Sequence, residues 1–277
     1  MEENTDHTLA PHPEDAALRE ELARLRASLT VLLLQRDELL LIQCRRIEAA
    51  YLRRFGALEL KVYESWCDCL RAKRKAKLIR ARQNRREQAD LTQIEAELDG
   101  ELAVYREKLE ERVQRIAGLG QKQGGPGLSV GGTRELRELY RQAVKALHPD
   151  LHPGEDERRV RTLEQAMRAY RAGDLDTLRA ICDTVEPAKE RAQTGLAALR
   201  TEVQRLRASL RELNNSIEKI KQEYPYNARV YLEDEASALA RRQELNNQLR
   251  DLKMRTARYE TAIARMLDDE EENGERI

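Results

Sequence analysis

From Leu196 to Tyr224 each apolar anchor follows the previous one by three or four residues: Leu196, Leu199, Val203, Leu206, Leu210, Leu213, Ile217, Ile220 and Tyr224. That cadence keeps one narrow stripe of a helix apolar, and such a stripe is buried against another helix. A strand would need alternation by two. The same cadence opens the chain at Leu18, Leu22, Leu25, Leu29 and Leu32, then continues less regularly through Leu39, Leu40, Ile47, Tyr51, Leu58 and Val62. With 36% charged residues, 4% aromatic residues, one Trp and one Phe in 277 positions, bulky side chains are too few to fill a large compact core. The expected fold is all-α: long antiparallel, coiled-coil-like hairpins flanking a small helical unit.

Punctuation along the chain divides it. Residues 1–13, with Pro11 and Pro13, read as a disordered tail. Residues 14–117 read as an N-terminal helical hairpin. Its seam fails between Arg82 and Asp90, and Asp90 with Gln93 has the form of a helix cap with a partner three residues on. Gly56 stands alone inside the first helix, which suits a close crossing or a kink. Seven of the 13 glycines fall in 118–132, which reads as a flexible linker. A phosphate-binding loop would need a Gly-Lys-Ser/Thr ending, and Gly131-Gly132-Thr133-Arg134 has no such lysine. Residues 133–184 form a compact unit. Residues 185–267 read as a C-terminal coiled-coil hairpin, broken at Tyr224-Pro225-Tyr226-Asn227, and 268–277 as an acidic tail.

Fifty acidic and fifty basic residues balance, so global charge gives no attraction to nucleic acid or acidic membranes. Cys44, Cys67, Cys69 and Cys182 lack metal-site or disulfide-framework spacing and read as reduced thiols. The apolar run Leu29–Leu34 is too short to span a bilayer and is soon followed by Arg36, Asp37 and Glu38. With an acidic, polar N-terminus unlike a signal peptide, the expected location is cytoplasmic, with no membrane partner. No cofactor is expected, and no enzyme activity.

The segment that carries function is Leu136–Asp150. Leu136, Leu139, Tyr140, Ala143 and Leu147 form an apolar stripe, and Arg134, Arg137, Arg141 and Lys145 fall on a neighbouring face. Pro149 ends the helix near His148, leaving His148, Pro149 and Asp150 in an expected tight, exposed corner at the end of a basic ridge. A second amphipathic helix follows (Val160, Leu163, Ala166, Met167, Tyr170), ended by Gly173. Asp174 then caps a short third helix bearing Leu175, Leu178 and Ile181.

Tyr140-Arg141, His148-Pro149-Asp150, the polar loop and Ala169-Tyr170 resemble the second and third helices of a J domain, the module of DnaJ-like co-chaperones. That resemblance covers roughly a sixth of the chain. It implies docking on a DnaK-type ATPase chaperone, with the basic ridge meeting an acidic surface and the His-Pro-Asp corner triggering ATP hydrolysis there. The matching contact positions are Arg137, Arg141, Lys145, His148, Pro149 and Asp150. Tyr140, Leu147, Leu163 and Tyr170 match core positions. The Tyr-Tyr-x-x-Leu-like first helix of the family is not found at its place, where the glycine linker stands. Either a coiled-coil helix takes over its packing, or the unit is incomplete. The glycine-phenylalanine region and zinc-binding repeats of full-length DnaJ are absent too.

On this reading the arms hold client proteins or pair across a homodimer. The alternative is a coiled-coil scaffold in which the J-like corner is only structural. A metal site from His148, Asp150 and His152 is conceivable, but a polar loop is the plainer reading, and no metal is expected. The run Arg71–Arg86 holds nine basic residues and no acid. It reads as a solvated tip, open to the acidic tail Asp268–Glu272 or to phosphates. Stacking aromatics are missing inside it, which argues against sequence-specific RNA reading. Nucleic acid is not the expected partner, and its binding through Arg71–Arg86 stays a weaker reading that belongs to the scaffold alternative.

Overall fold

An unbroken helical run carries the chain from Pro13 to Asn84 in the computed structural model, which describes residues 13–85, 87–121, 130–153, 157–185 and 195–274. The run comprises α1 (Pro13–Glu38), a π-helical segment (Leu39–Gln43) and α2 (Cys44–Asn84). Then come α3 (Leu91–Glu101), α4 (Ala103–Gln121), α5 (Val130–Leu147), α6 (Glu157–Ala172), α7 (Leu175–Thr184) and α8 (Leu196–Gln222). A 3-10 turn (Tyr226–Arg229), α9 (Val230–Glu233) and α10 (Glu235–Gly274) complete the order. The fold is all-α, with no strand among the described residues.

Two compact units form. In the first, Met1–Arg46 with Gly124–Asn227, α1 and α8 lie side by side and parallel. Arg200 bonds Glu14 and Arg207 bonds Glu21, both at a separation of 186 residues. The two pairs sit one heptad apart, flanking a seam in which Leu22, Leu29 and Leu33 are buried with Leu199, Val203, Leu206, Leu213 and Ile217. Helices α5, α6 and α7 share that core.

The second unit comprises Ile47–Gln123 and Ala228–Ile277. Here α3 and α4 return antiparallel to α2: Arg71 reaches Asp99 at 2.8 Å, Trp66 meets Tyr105, and Gly56 faces Ile116. The Asp90 cap forms, accepting from the Thr92 and Gln93 amides at 2.9 and 3.1 Å. Asp90's own N–H goes to the Gln88 carbonyl. α10 runs parallel to α2, with Arg241 on Glu59 at 3.0 Å and Gln83 on the Met266 carbonyl at 2.6 Å. Two apolar clusters hold the unit: Tyr51, Phe55, Ala228, Ala238 and Leu245, then Ile79, Ile94, Leu98 and Ile263.

Several sequence boundaries change. The 14–117 hairpin is confined to α2, α3 and α4, because α1 spends its seam on α8. The expected 185–267 hairpin is divided between the units: α8 belongs to the first and α10 to the second, each running parallel to part of the first helical run. A seam specifies that a helix needs a partner but carries no direction, and the flanking charges choose. Of the 118–132 linker, 118–121 and 130–132 are helical, and 122–129 lie outside the described residues. Pro13 begins α1, while 1–12 lie outside. The backbone of the 268–277 tail is helical through Gly274, and 275–277 lie outside. Within the basic run, α3 supplies partners for four residues: Glu95 and Asp99 for Arg71, Glu101 for Arg74, Glu95 for Lys75 and Glu97 for Arg82. Arg86 lies outside the described residues.

Candidate functional site

Helix α5 buries Leu136, Tyr140, Ala143, Val144 and Leu147 against Leu163, Ala166, Ala169 and Tyr170 of α6 and Leu178 and Ile181 of α7. Gly173 adopts a φ of 73°, which stops α6, and Asp174 caps α7 through the Thr177 amide at 3.0 Å. The four expected core positions are therefore all in the core.

The Tyr140 and Tyr170 rings stack at 4.2 Å with 14° between their planes. Their hydroxyls point to the end of α1. Tyr140 donates to Asp37 at 2.7 Å, Tyr170 donates to Glu38, and Arg137 reaches Glu38 at 3.4 Å. Asp37 also accepts from Arg36 at 2.8 Å. Burial, reinforced by the adjacent carboxylates, pushes both phenols well above their ordinary pKa. The π-helical segment begins one residue later, and its Leu39 enters the same core. One extra residue per turn re-aims the faces on either side of it. α1 and the π-helical segment pack across α5 and α6.

Sequence reasoning used Asp37 and Glu38 only as charges hostile to a membrane span. Adjacent acids interrupting an apolar run opposite two tyrosines were the available signal. The π-helical segment had a fainter one, the loss of regular cadence after Leu32.

The ridge is as expected: Arg134, Arg137, Arg141 and Lys145 are exposed along α5. The corner is not wholly so. His148 is 7% exposed, whereas Pro149 is exposed and Asp150 half-exposed. The expectation of an open imidazole is thus corrected. The backbone turns at once after α5, with the Leu151 and His152 amides bonding the His148 carbonyl, and this turn folds the ring inward. Its Nδ1 accepts the Asp150 amide at 3.1 Å, so the imidazole braces the corner from inside. Burial lowers the His148 pKa, an effect that nearby Asp150 opposes and Arg36 reinforces.

Arg205 of α8, itself paired with Glu202 at 2.7 Å, donates to the Asp150 carbonyl at 3.1 Å. Sequence reasoning missed both Arg205 and Glu202. The His152 ring is bonded to the Lys145 carbonyl at 2.8 Å. Both imidazoles are thus engaged, and among the described residues no group of three or more His, Cys, Asp or Glu side chains could hold a metal ion. No described helix is long and apolar enough to cross a membrane. Compared with protein-family models, curated proteins and solved structures, the chain matches none.

Proposed function

We propose that the chain is a J-type co-chaperone that docks on a DnaK-type ATPase through α5 and stimulates its ATP hydrolysis. The observation that carries this reading is the exposed line Arg137, Arg141 and Lys145, leading to an exposed Pro149 and a half-exposed Asp150. A line of cations ending in one carboxylate steers and orients an acidic partner surface, chiefly through the association rate. His148 then acts as a positioning residue, holding the Asp150 backbone, rather than as a contact. The helical arms are the candidate surface for client proteins or for a second copy, and the setting is cytoplasmic.

Single-turnover ATP hydrolysis by a DnaK-type chaperone tests this. The unaltered chain accelerates it, Asp150→Asn and the double variant Arg141→Ala/Lys145→Ala lose the acceleration, and added salt weakens it. Equal rates with and without the chain overturn the reading.

A second reading has its own support. His148 is buried and Arg205 ties the Asp150 carbonyl to α8, as a purely structural joint in a scaffold would require. Loss of stability without loss of acceleration in Arg205→Ala favours docking. Full cellular function in Asp150→Asn favours the scaffold.

A further inference from the structure

The basic run contains a surface that the α5 ridge does not use. α3 neutralises Arg71, Arg74, Lys75 and Arg82, while Arg85 pairs with Glu87. Lys73, Lys77 and Arg80 remain exposed, and none has an ion-pair partner among the described residues. Spacings of four and three residues put these cations on one face of α2, and Trp66, seven residues before Lys73, shares that face. At 3.6 residues per turn the four side chains lie within roughly 60° of arc and along about 21 Å of axis. No acidic residue interrupts the sequence from Arg71 to Arg86.

Trp66 is the aromatic end of this strip. Its ring stacks on Tyr63 at 5.5 Å and meets Tyr105 edge-on at 5.2 Å, yet it stays 36% exposed. The Arg112 guanidinium lies 4.2 Å over the Tyr63 ring. Trp66, Tyr63 and Arg112 border an open cavity of about 600 Å³ between α2, α4 and α10, where the exposed Arg255 stands with the carboxylates of Asp251 and Glu59, the latter already bonded to Arg241.

A single-sign strip running into an exposed indole meets two separate demands of a single-stranded nucleic acid: neutralised phosphates and a platform for an unpaired base. An acidic peptide would use the cations but gain nothing specific from the indole. A duplex would offer phosphates but no free base face. We propose that this face of α2 binds single-stranded nucleic acid, with phosphates on Lys73, Lys77 and Arg80 and a base stacked on Trp66. This function is independent of the chaperone contact.

Trp66 is the only tryptophan in the chain, so its emission reports the stacking directly. The experiment titrates the full chain with a mixed-sequence single-stranded RNA, the same sequence as a duplex, and polyglutamate over a salt series. The single strand quenches Trp66 and binds most tightly, more weakly as salt rises. The triple variant K73E/K77E/R80E loses at least tenfold in affinity at low salt. Its slope of log K against log salt is shallower by about 2, at about 0.7 per phosphate. Trp66→Leu, followed by anisotropy of labelled RNA, binds about tenfold more weakly with an unchanged salt slope. Circular dichroism checks that both variants keep their helix content. Absence of salt-dependent RNA binding, undiminished binding by the triple variant, or polyglutamate matching RNA in affinity and quenching overturns the proposal.

Discussion

The Tyr140 hydroxyl donates to the Asp37 carboxylate at 2.7 Å with both residues buried, 1% and 2% exposed. This bond, between positions 103 apart in sequence, fixes α5 against the end of α1. Removing the donor leaves a buried carboxylate that still accepts from Arg36. Tyr140→Phe is therefore expected to destabilise the chain by about 1.5–3 kcal/mol, the range for a hydrogen bond to a charged group. Tyr170→Phe should cost less, because the Glu38 side chain is 23% exposed and water can replace the lost donor. Urea unfolding of the two variants checks the order. A larger loss in Tyr170→Phe would contradict it.

The buried His148 predicts a pH dependence of definite sign. Its folded pKa lies below the ordinary histidine value, mainly through burial, so the unfolded chain takes up a proton first as pH falls. The stability associated with the neutral ring is complete above the ordinary histidine pKa. It is lost as pH drops through that value toward the lower folded one. Asp150, Asp37, Arg36 and His152 all act on the ring, so the readout is a difference between variants. His148→Asn keeps a side-chain acceptor for the Asp150 amide, as in an Asx-turn, but does not titrate. Between pH 7 and 5 the unaltered chain should lose more stability than His148→Asn in thermal melts. Parallel losses would show that another group governs the transition.

The helices were legible in the sequence, because Leu199, Val203, Leu206, Leu213 and Ile217 all stand on one stripe and all are buried. The caps at Asp90 and Asp174 were, because a short acceptor side chain meets amides two or three residues ahead. The partners were not: an apolar stripe is the same read toward either end, so the parallel pairing of α1 with α8 left no mark in the stripe itself. The ridge Arg137, Arg141 and Lys145 followed from helical spacing alone. The inward turn of His148 did not, since it depends on the backbone beyond Pro149 and on α8. Likewise, Lys73, Lys77 and Arg80 became distinct from their neighbours only once α3 had claimed the others.

The parallel register of α1 and α8 rests partly on Glu14 with Arg200 and Glu21 with Arg207. These flanking pairs are half-exposed, so each is worth about 0.2–1 kcal/mol. Glu21→Arg places like charges opposite each other and should lower stability by about that amount. Adding Arg207→Glu should restore it. A double-mutant cycle in denaturant checks this, and full additivity of the two changes would show that the pair does not contribute.

Gly56 is buried in α2 where α4 crosses, and a Cβ built there would lie 3.4 Å from the Ile116 side chain. That distance is ordinary contact for one methyl group and leaves no room for a second carbon. Alanine also restricts the unfolded chain and suits a helix interior better than glycine, by about 1 kcal/mol. Gly56→Ala should therefore be neutral to stabilising, by up to about 1 kcal/mol. Gly56→Val drives a branched side chain into Ile116 and should destabilise by about 1–3 kcal/mol through overpacking. The double variant Gly56→Val/Ile116→Ala should recover part of the loss, because the removed carbons lie where the new ones point. Thermal melts of the three variants test this. Gly56→Ala falling below the unaltered chain would mean that α4 lies closer to α2 than 3.4 Å allows.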